Sequence, residues 1–227
     1  MIVMPSPGNS PGESGTFPAA TLGVAVGDYL HDAIVTGAFP PGSALKEKDL
    51  ADSLNISSTP IRDALGRLAQ TGLVEIISNK SKRISPLDRD VVVDLLSIRL
   101  IVADRAYQLG LPRISATASG QLEFQIEALK MGLMRKDHSA ALDAVFRADQ
   151  LLVESFGSIE AKRIIESRNS YLKRHILLKV EGWISETILQ HYVGALDAIS
   201  RKDFPLARTN AKAVWLRLLD NLEQSEV

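Results

Sequence analysis

The chain has 227 residues, 45% hydrophobic and 23% charged, with a formal net charge of −1, which suffices for two modest domains that each bury a core. It contains no cysteine, which excludes disulfides, thiolate metal sites and cysteine nucleophiles and fits a reducing compartment, the cytoplasm by default. The near-neutral charge argues against indiscriminate electrostatic attachment to nucleic acid, although a net value hides local asymmetry.

Met1 to Pro18 are rich in Pro, Gly and Ser and lack the basic start and apolar centre of a secretory signal, so a disordered tail is expected over about 1–20. Between Thr21 and Thr36, Val24, Val26, Leu30, Ile34 and Val35 recur with roughly helical spacing. Gly37, Pro40, Pro41 and Gly42 end that helix. A short helix is expected from Glu47 to Leu54, then a turn over Asn55 to Ser58. The next helix is opened by Thr59, with Pro60 at its first position, and closed by Gly72. Leu73 to Ile77 and Arg83 to Ser85 flank a polar tip and read as a two-stranded hairpin that Pro86 closes. Ala51, Leu54, Ile56, Ile61, Leu65, Leu68 and Leu73 can pack a three-helix core. Between Ile56 and Pro86, Arg62, Arg67, Lys80, Lys82 and Arg83 stand against Asp63 and Glu75, a local excess of three positive charges.

Beyond Asp88 no strand pattern occurs, and helices are expected over about 88–109, 116–136, 138–156, 159–179, 181–201 and 203–224. Gly110 with Pro112, Gly157, Gly182, and Asp203 with Pro205 separate them. The expected fold class is mainly α: an amino-terminal winged helix-turn-helix over 21–87, then an all-helical antiparallel bundle over 88–227. No apolar run approaches the roughly 20 residues of a membrane helix, so no membrane partner is expected.

At Pro41 to Leu45, Leu50-Ala51, Ser57 to Leu65, Arg67-Leu68 and Gly72 to Val74, the sequence resembles the DNA-binding domain of the GntR family, over about 28–86. The residues read the same way unaided. Polar groups gather at the start of the second helix of the pair, where a helix amino terminus in the major groove offers hydroxyls to phosphates and base edges, and Arg62 can pair with guanine. The resemblance implies a homodimer on a palindromic operator, with DNA contacts at Lys48, Ser57, Ser58, Thr59 and Arg62 and, in the wing, at Asn79 and Lys80. Ser58 departs from the family, which usually has Arg there for base contact. The bland alternative is that Ser57 to Thr59 merely cap a helix.

After Leu87, Arg99, Ala198-Ile199, Asp203 and Ala207 resemble the FCD domain of the FadR branch. Many members hold a divalent metal there with one Asp and three His. Asp143 to Arg147 looks like the ligand motif, but that register turns Asp143, Arg147, Gln150 and Glu154 inward. The register with Leu142, Val145, Asp149, Leu152, Val153 and Phe156 inward makes the better apolar stripe. It puts Val145 at the Asp position, Asp149 and Tyr192 at two His positions, and Val214 at the third. No metal or other cofactor is therefore expected. His31, His138 and His175 are expected at the surface or on helix faces. Arg99, Asp149, Tyr192 and the adjacent His191 remain as effector-site candidates, either a self-satisfying network or groups converging on a ligand. The family senses small organic acids, and the Arg99 guanidinium suits a carboxylate.

The expected function is a ligand-responsive DNA-binding regulator, a repressor by preference. An enzyme is disfavoured because no nucleophile motif, phosphate loop or complete metal triad accompanies Asp149, His191 and Tyr192. A helical interaction module with a vestigial winged domain is the other rival.

Overall fold

The computed structural model describes residues 19–78 and 81–224, divided into two compact units between Leu87 and Asp88. The expected tail, Met1 to Pro18, and the wing tip, Asn79 and Lys80, lie outside the described residues.

The first unit contains helices α1 (Ala19–Val35), α2 (Glu47–Leu54) and α3 (Ser58–Gln70) and strands β1 (Ala44–Leu45), β2 (Val74–Ser78) and β3 (Ser81–Ile84). α1 buries Val26, Leu30 and Ile34, whereas Val24 is exposed. The α2–α3 turn hinges on Asn55, whose left-handed φ of 54° brings its amide onto the closing carbonyls of α2. Asn tolerates that region better than most residues. Leu54 and Ile56 are only half-buried, so the core of the helix pair rests on Leu50, Ala51, Ile61, Ala64, Leu65 and Leu68. At the end of α3 Gly72 (φ 79°) lets Leu73 N–H donate to the Leu68 carbonyl, at 3.0 Å, and turns the chain into β2.

The expected hairpin is one strand larger. β3 lies between β2 and β1, antiparallel to both, with Val74 opposite Ile84, Glu75 opposite Arg83, and Ala44 and Leu45 opposite Arg83 and Lys82. A two-residue strand leaves no period to read in sequence. It forms because Gly42 and Ser43 bracket Ile84: Gly42 N–H donates to the Ile84 carbonyl (3.0 Å), and Ile84 N–H to that of Ser43 (2.8 Å).

The second unit has no strand among its described residues and is built from helices: α4 (Arg89–Gly110), α5 (Ala116–Arg135), α6 (His138–Glu154), α7 (Ile159–Glu166), α8 (Asn169–Lys179), α9 (Glu186–Ser200) and α10 (Phe204–Gln224). Asp88, Ser115, Asp137 and Ser158 accept amide hydrogen bonds at the starts of α4 to α7, and so fix where those helices begin. α5 and α6 pack closely at Gly132, where a Cβ would lie 2.8 Å from the Ala141 backbone nitrogen. Two expected helices differ. Residues 159–179 break at Ser167 and Arg168 into α7 and α8, and 181–185 is not helical but carries Trp183 and Ile184 into the core. Among the described residues no helix is long and apolar enough to cross a membrane.

Candidate nucleic-acid interface and buried polar centre

α3 starts one residue before the expected Thr59, at Ser58, with Ser57 as its N-cap in extended backbone (φ −72°, ψ 160°). Pro60 is thus third, still within the first turn, where the missing N–H breaks no helical bond. Ser57 makes no side-chain capping bond, and none of the hydroxyls of Ser57, Ser58 and Thr59 has a protein partner among the described residues. Ser57 and Thr59 are exposed and Ser58 half-buried. None of the three hydroxyls is therefore spent on a capping bond, and they stand at the positive end of a helix dipole, where an anion is favoured. Lys48 is exposed on α2.

Arg62 follows one turn into α3, with its side chain 67% exposed. Its Nε donates to Glu47 Oε2 at 3.0 Å, while Lys82 Nζ donates to Glu47 Oε1 at 2.5 Å. These cations, Lys82 foremost, hold the Glu47 carboxyl below its ordinary range against the opposing pull of burial. The local charge excess read from sequence is smaller in space. Lys82 is buried, Arg83 pairs with Glu75 (2.7 Å), and Arg67 Nη2 donates to the Gly23 carbonyl (2.5 Å) across α1, where Gly27 leaves it room. Glu47 was missed because the charges were counted from Ile56 onward, and its role requires knowing that β3 passes α2.

In the second unit Arg99 and Asp149 are 3% and 0% exposed and form an ion pair. Asp149 also accepts hydrogen bonds from the Tyr107 hydroxyl and, at 2.8 Å, from Trp215 Nε1. Arg99 Nη1 donates to Asn169 Oδ1 (2.8 Å) and to the Ile165 carbonyl (2.9 Å). This explains the α7–α8 break: Ile165 stands in the last turn of α7, where a carbonyl lacks a helical partner and the dipole favours a cation. The Arg99 guanidinium also stacks on Trp215, 4.1 Å from the ring centroid. Tyr192 lies beside this centre, its hydroxyl donating to the Val145 carbonyl at 3.1 Å. Burial and the nearby Asp149 charge raise the phenols of Tyr107 and Tyr192 well above their ordinary range, so both are neutral donors.

Asp149 faces inward, and Asp143 is exposed and paired with Lys173 at 2.5 Å. His191, one residue before Tyr192, points about 100° away around α9. It is half-buried and outside the hydrogen-bonded centre. His175, expected at the surface or on a helix face, lies on the buried face of α8 and is 3% exposed. Tyr107 and Trp215 were missed in the sequence. Tyr107 repeats Arg99 at eight residues, one helix face apart by about 80°, while nothing local marks Trp215. A divalent cation does not fit here: Val145 and Val214 are fully buried at two of the ligand positions, and the Asp149 carboxylate faces a guanidinium.

A three-helix unit with a hairpin wing and an uncapped, hydroxyl-bearing recognition helix defines a winged helix-turn-helix DNA-binding protein. Residues 22–84 match the model of the bacterial regulatory proteins, gntR family. The chain is 24% identical over 196 residues to the HTH-type transcriptional regulator in the unstable DNA locus of Streptomyces ambofaciens, covering 86% of this chain and 82% of that one. It is 25% identical over 192 residues to the HTH-type regulator YdhC of Bacillus subtilis, covering 82% and 84%. E. coli McbR/YncC is similar in fold, with a TM-score of 0.74 at 20% identity over 91% of this chain and 99% of that one. Residues 22–84 are thus similar to a gntR-family DNA-binding domain, and the relatives matched over most of the chain are HTH-type transcriptional regulators.

Proposed function

We propose that the protein is a cytoplasmic, ligand-responsive repressor of the FadR branch, with an FCD-like second unit, that binds a palindromic operator as a homodimer. The observation that carries this is the amino end of α3, with three hydroxyls that have no protein partner beside an exposed Arg62. A dimer seated on promoter DNA represses by excluding other proteins from it. Ser57, Ser58, Thr59 and Lys48 supply phosphate and base-edge contacts, Arg62 reads a base, and Asn79 and Lys80 grip the backbone. An enzymatic role has no support in the buried centre, where the Asp149 oxygens are occupied by Arg99, Tyr107 and Trp215.

The effector is a small carboxylic acid that replaces the Asp149 carboxylate on Arg99. Two buried donors without acceptors favour an acidic guest there: Arg99 Nε, and Trp183 Nε1 on a ring 5.8 Å from that of Trp215.

Fluorescence anisotropy with duplex from upstream of the protein's own gene tests the DNA reading. Arg62→Ala is expected to weaken specific binding by about 1–3 kcal/mol and relax preference at one base pair. Unchanged affinity would overturn the assignment of α3. A thermal-shift screen with small carboxylic acids tests the effector, since a true ligand at 100 times its Kd stabilises by about 2.7 kcal/mol. A hit that stabilises Arg99→Lys equally would overturn the anchor.

A further inference from the structure

The outer face of α4 carries Val91, Asp94, Ile98, Ile101, Arg105 and Gln108, spaced alternately by three and four residues, and all six are exposed. That alternation is the seam of a helix that packs lengthwise on another helix. Val91, Ile98 and Ile101 are 42%, 54% and 72% exposed, although the opposite face of α4 is fully committed to the core through Val92, Leu96 and Ala103. Large aliphatic side chains repeated at this spacing on a surface mark an interaction site. The charges on the seam are also unspent. Among the described residues Asp94 has no ion-pair or hydrogen-bond partner for its side chain, and Arg105 donates only to Gln108, at 2.7 Å.

We propose that this seam is where a second copy of the chain docks, with the two α4 helices antiparallel about a two-fold axis passing between Ile98 and Ile101. The proposal rests on the homodimer inferred above and assigns its surface. The order of residues is self-complementary under that axis. Ile98 meets Ile101 of the second copy, Asp94 meets Arg105, and Val91 meets the aliphatic stem of Gln108. A parallel pair would instead set Asp94 against Asp94 and Arg105 against Arg105, so charge selects the antiparallel, isologous arrangement. The other apolar stripe, Phe124, Met131 and Met134 on α5, offers no such selection, because its neighbouring charges Glu127 and Lys130 already pair within the chain at 3.4 Å.

Sedimentation equilibrium of the full chain decides the matter. Wild type is expected to reach twice the chain mass. Asp94→Arg and Arg105→Asp should each weaken dimerisation at least about tenfold, and the double exchange should restore it to within a few-fold of wild type. Circular dichroism checks that each exposed variant stays folded. A wild-type chain that is monomeric at every concentration would overturn the dimer itself. A wild-type dimer indifferent to the single exchanges, or a double exchange no better than either single one, would overturn only the α4 assignment and turn attention to α5.

Discussion

Each unit contains an arginine paired with a carboxylate, and the two pairs differ in what surrounds them. Arg62 is 67% exposed and shares the 20% exposed Glu47 with Lys82. Arg99 is 3% exposed and meets an Asp149 that is wholly buried. An exposed pair contributes at most about 1 kcal/mol, so water or a phosphate replaces the carboxylate at little cost. A buried pair, once broken, leaves a charge without solvent, and removal of one partner costs about 3–5 kcal/mol. The first arrangement suits the DNA-reading role proposed for Arg62, which requires the side chain to leave its own protein. The second ties five helices together, since α4, α6, α7, α8 and α10 all send a group to it.

The sharpest way to break this contrast is to empty Asp149. Asp149→Ala is expected to lower unfolding stability by about 3–5 kcal/mol in urea titration, while Arg99→Met with Asp149→Leu recovers most of the loss. A single-variant loss under about 1 kcal/mol would mean that Arg99 reaches water and the pair is not buried in solution. Trp215→Phe removes one donor to Asp149 while keeping the stack on Arg99, and should cost about 1 kcal/mol. Equal losses for Trp215→Phe and Asp149→Ala would show that packing, not charge satisfaction, dominates the centre. On the exposed side, Glu47→Gln should leave the melting temperature nearly unchanged. It should tighten non-specific duplex binding and steepen the salt dependence by about one unit, because Arg62 is released toward phosphate. An unaltered salt slope would show that Glu47 does not restrain Arg62.

The fold was legible where periodicity and punctuation agreed: α2, α3 and the hairpin declare themselves through Gly72, Pro86 and the spacing of Ile61, Leu65 and Leu68. It was illegible where tertiary contact decides. The α7–α8 break carries no proline or glycine at Ser167 and Arg168; its cause is Arg99, more than sixty residues away in sequence. β1 is likewise set by Ile84 rather than by Ala44 and Leu45. At the buried centre, Arg99, Asp149 and Tyr192 stood out as polar residues on apolar stripes, a signal that survives without coordinates. Tyr107 and Trp215 did not, because an aromatic on an apolar stripe looks like ordinary core until its hydroxyl or indole N–H is seen to have a partner.

The smallest effect tests whether burial in the second unit is as strict away from the Arg99 pair. His175 on α8 is 3% exposed, and burial, aided by Lys179 and opposed by Asp88, holds its imidazole below the ordinary value of 6.5. The native imidazole therefore takes up a proton less readily than that of the unfolded chain. A native value that is depressed means stability present above about 6.5 and lost as pH falls from there toward the lowered native value. Between pH 7 and 6 the loss from this one group should be below about 1 kcal/mol, because only part of the unfolded population is protonated. His175 is one of four histidines in the chain, so the comparison must be with a variant that removes His175 alone. His175→Gln should flatten the decline in melting temperature between pH 7 and 5 while leaving the plateau above pH 7 lower by a constant packing cost. If wild type and His175→Gln lose stability in parallel, the native imidazole takes up its proton as readily as the unfolded one, and α8 must open to water around it.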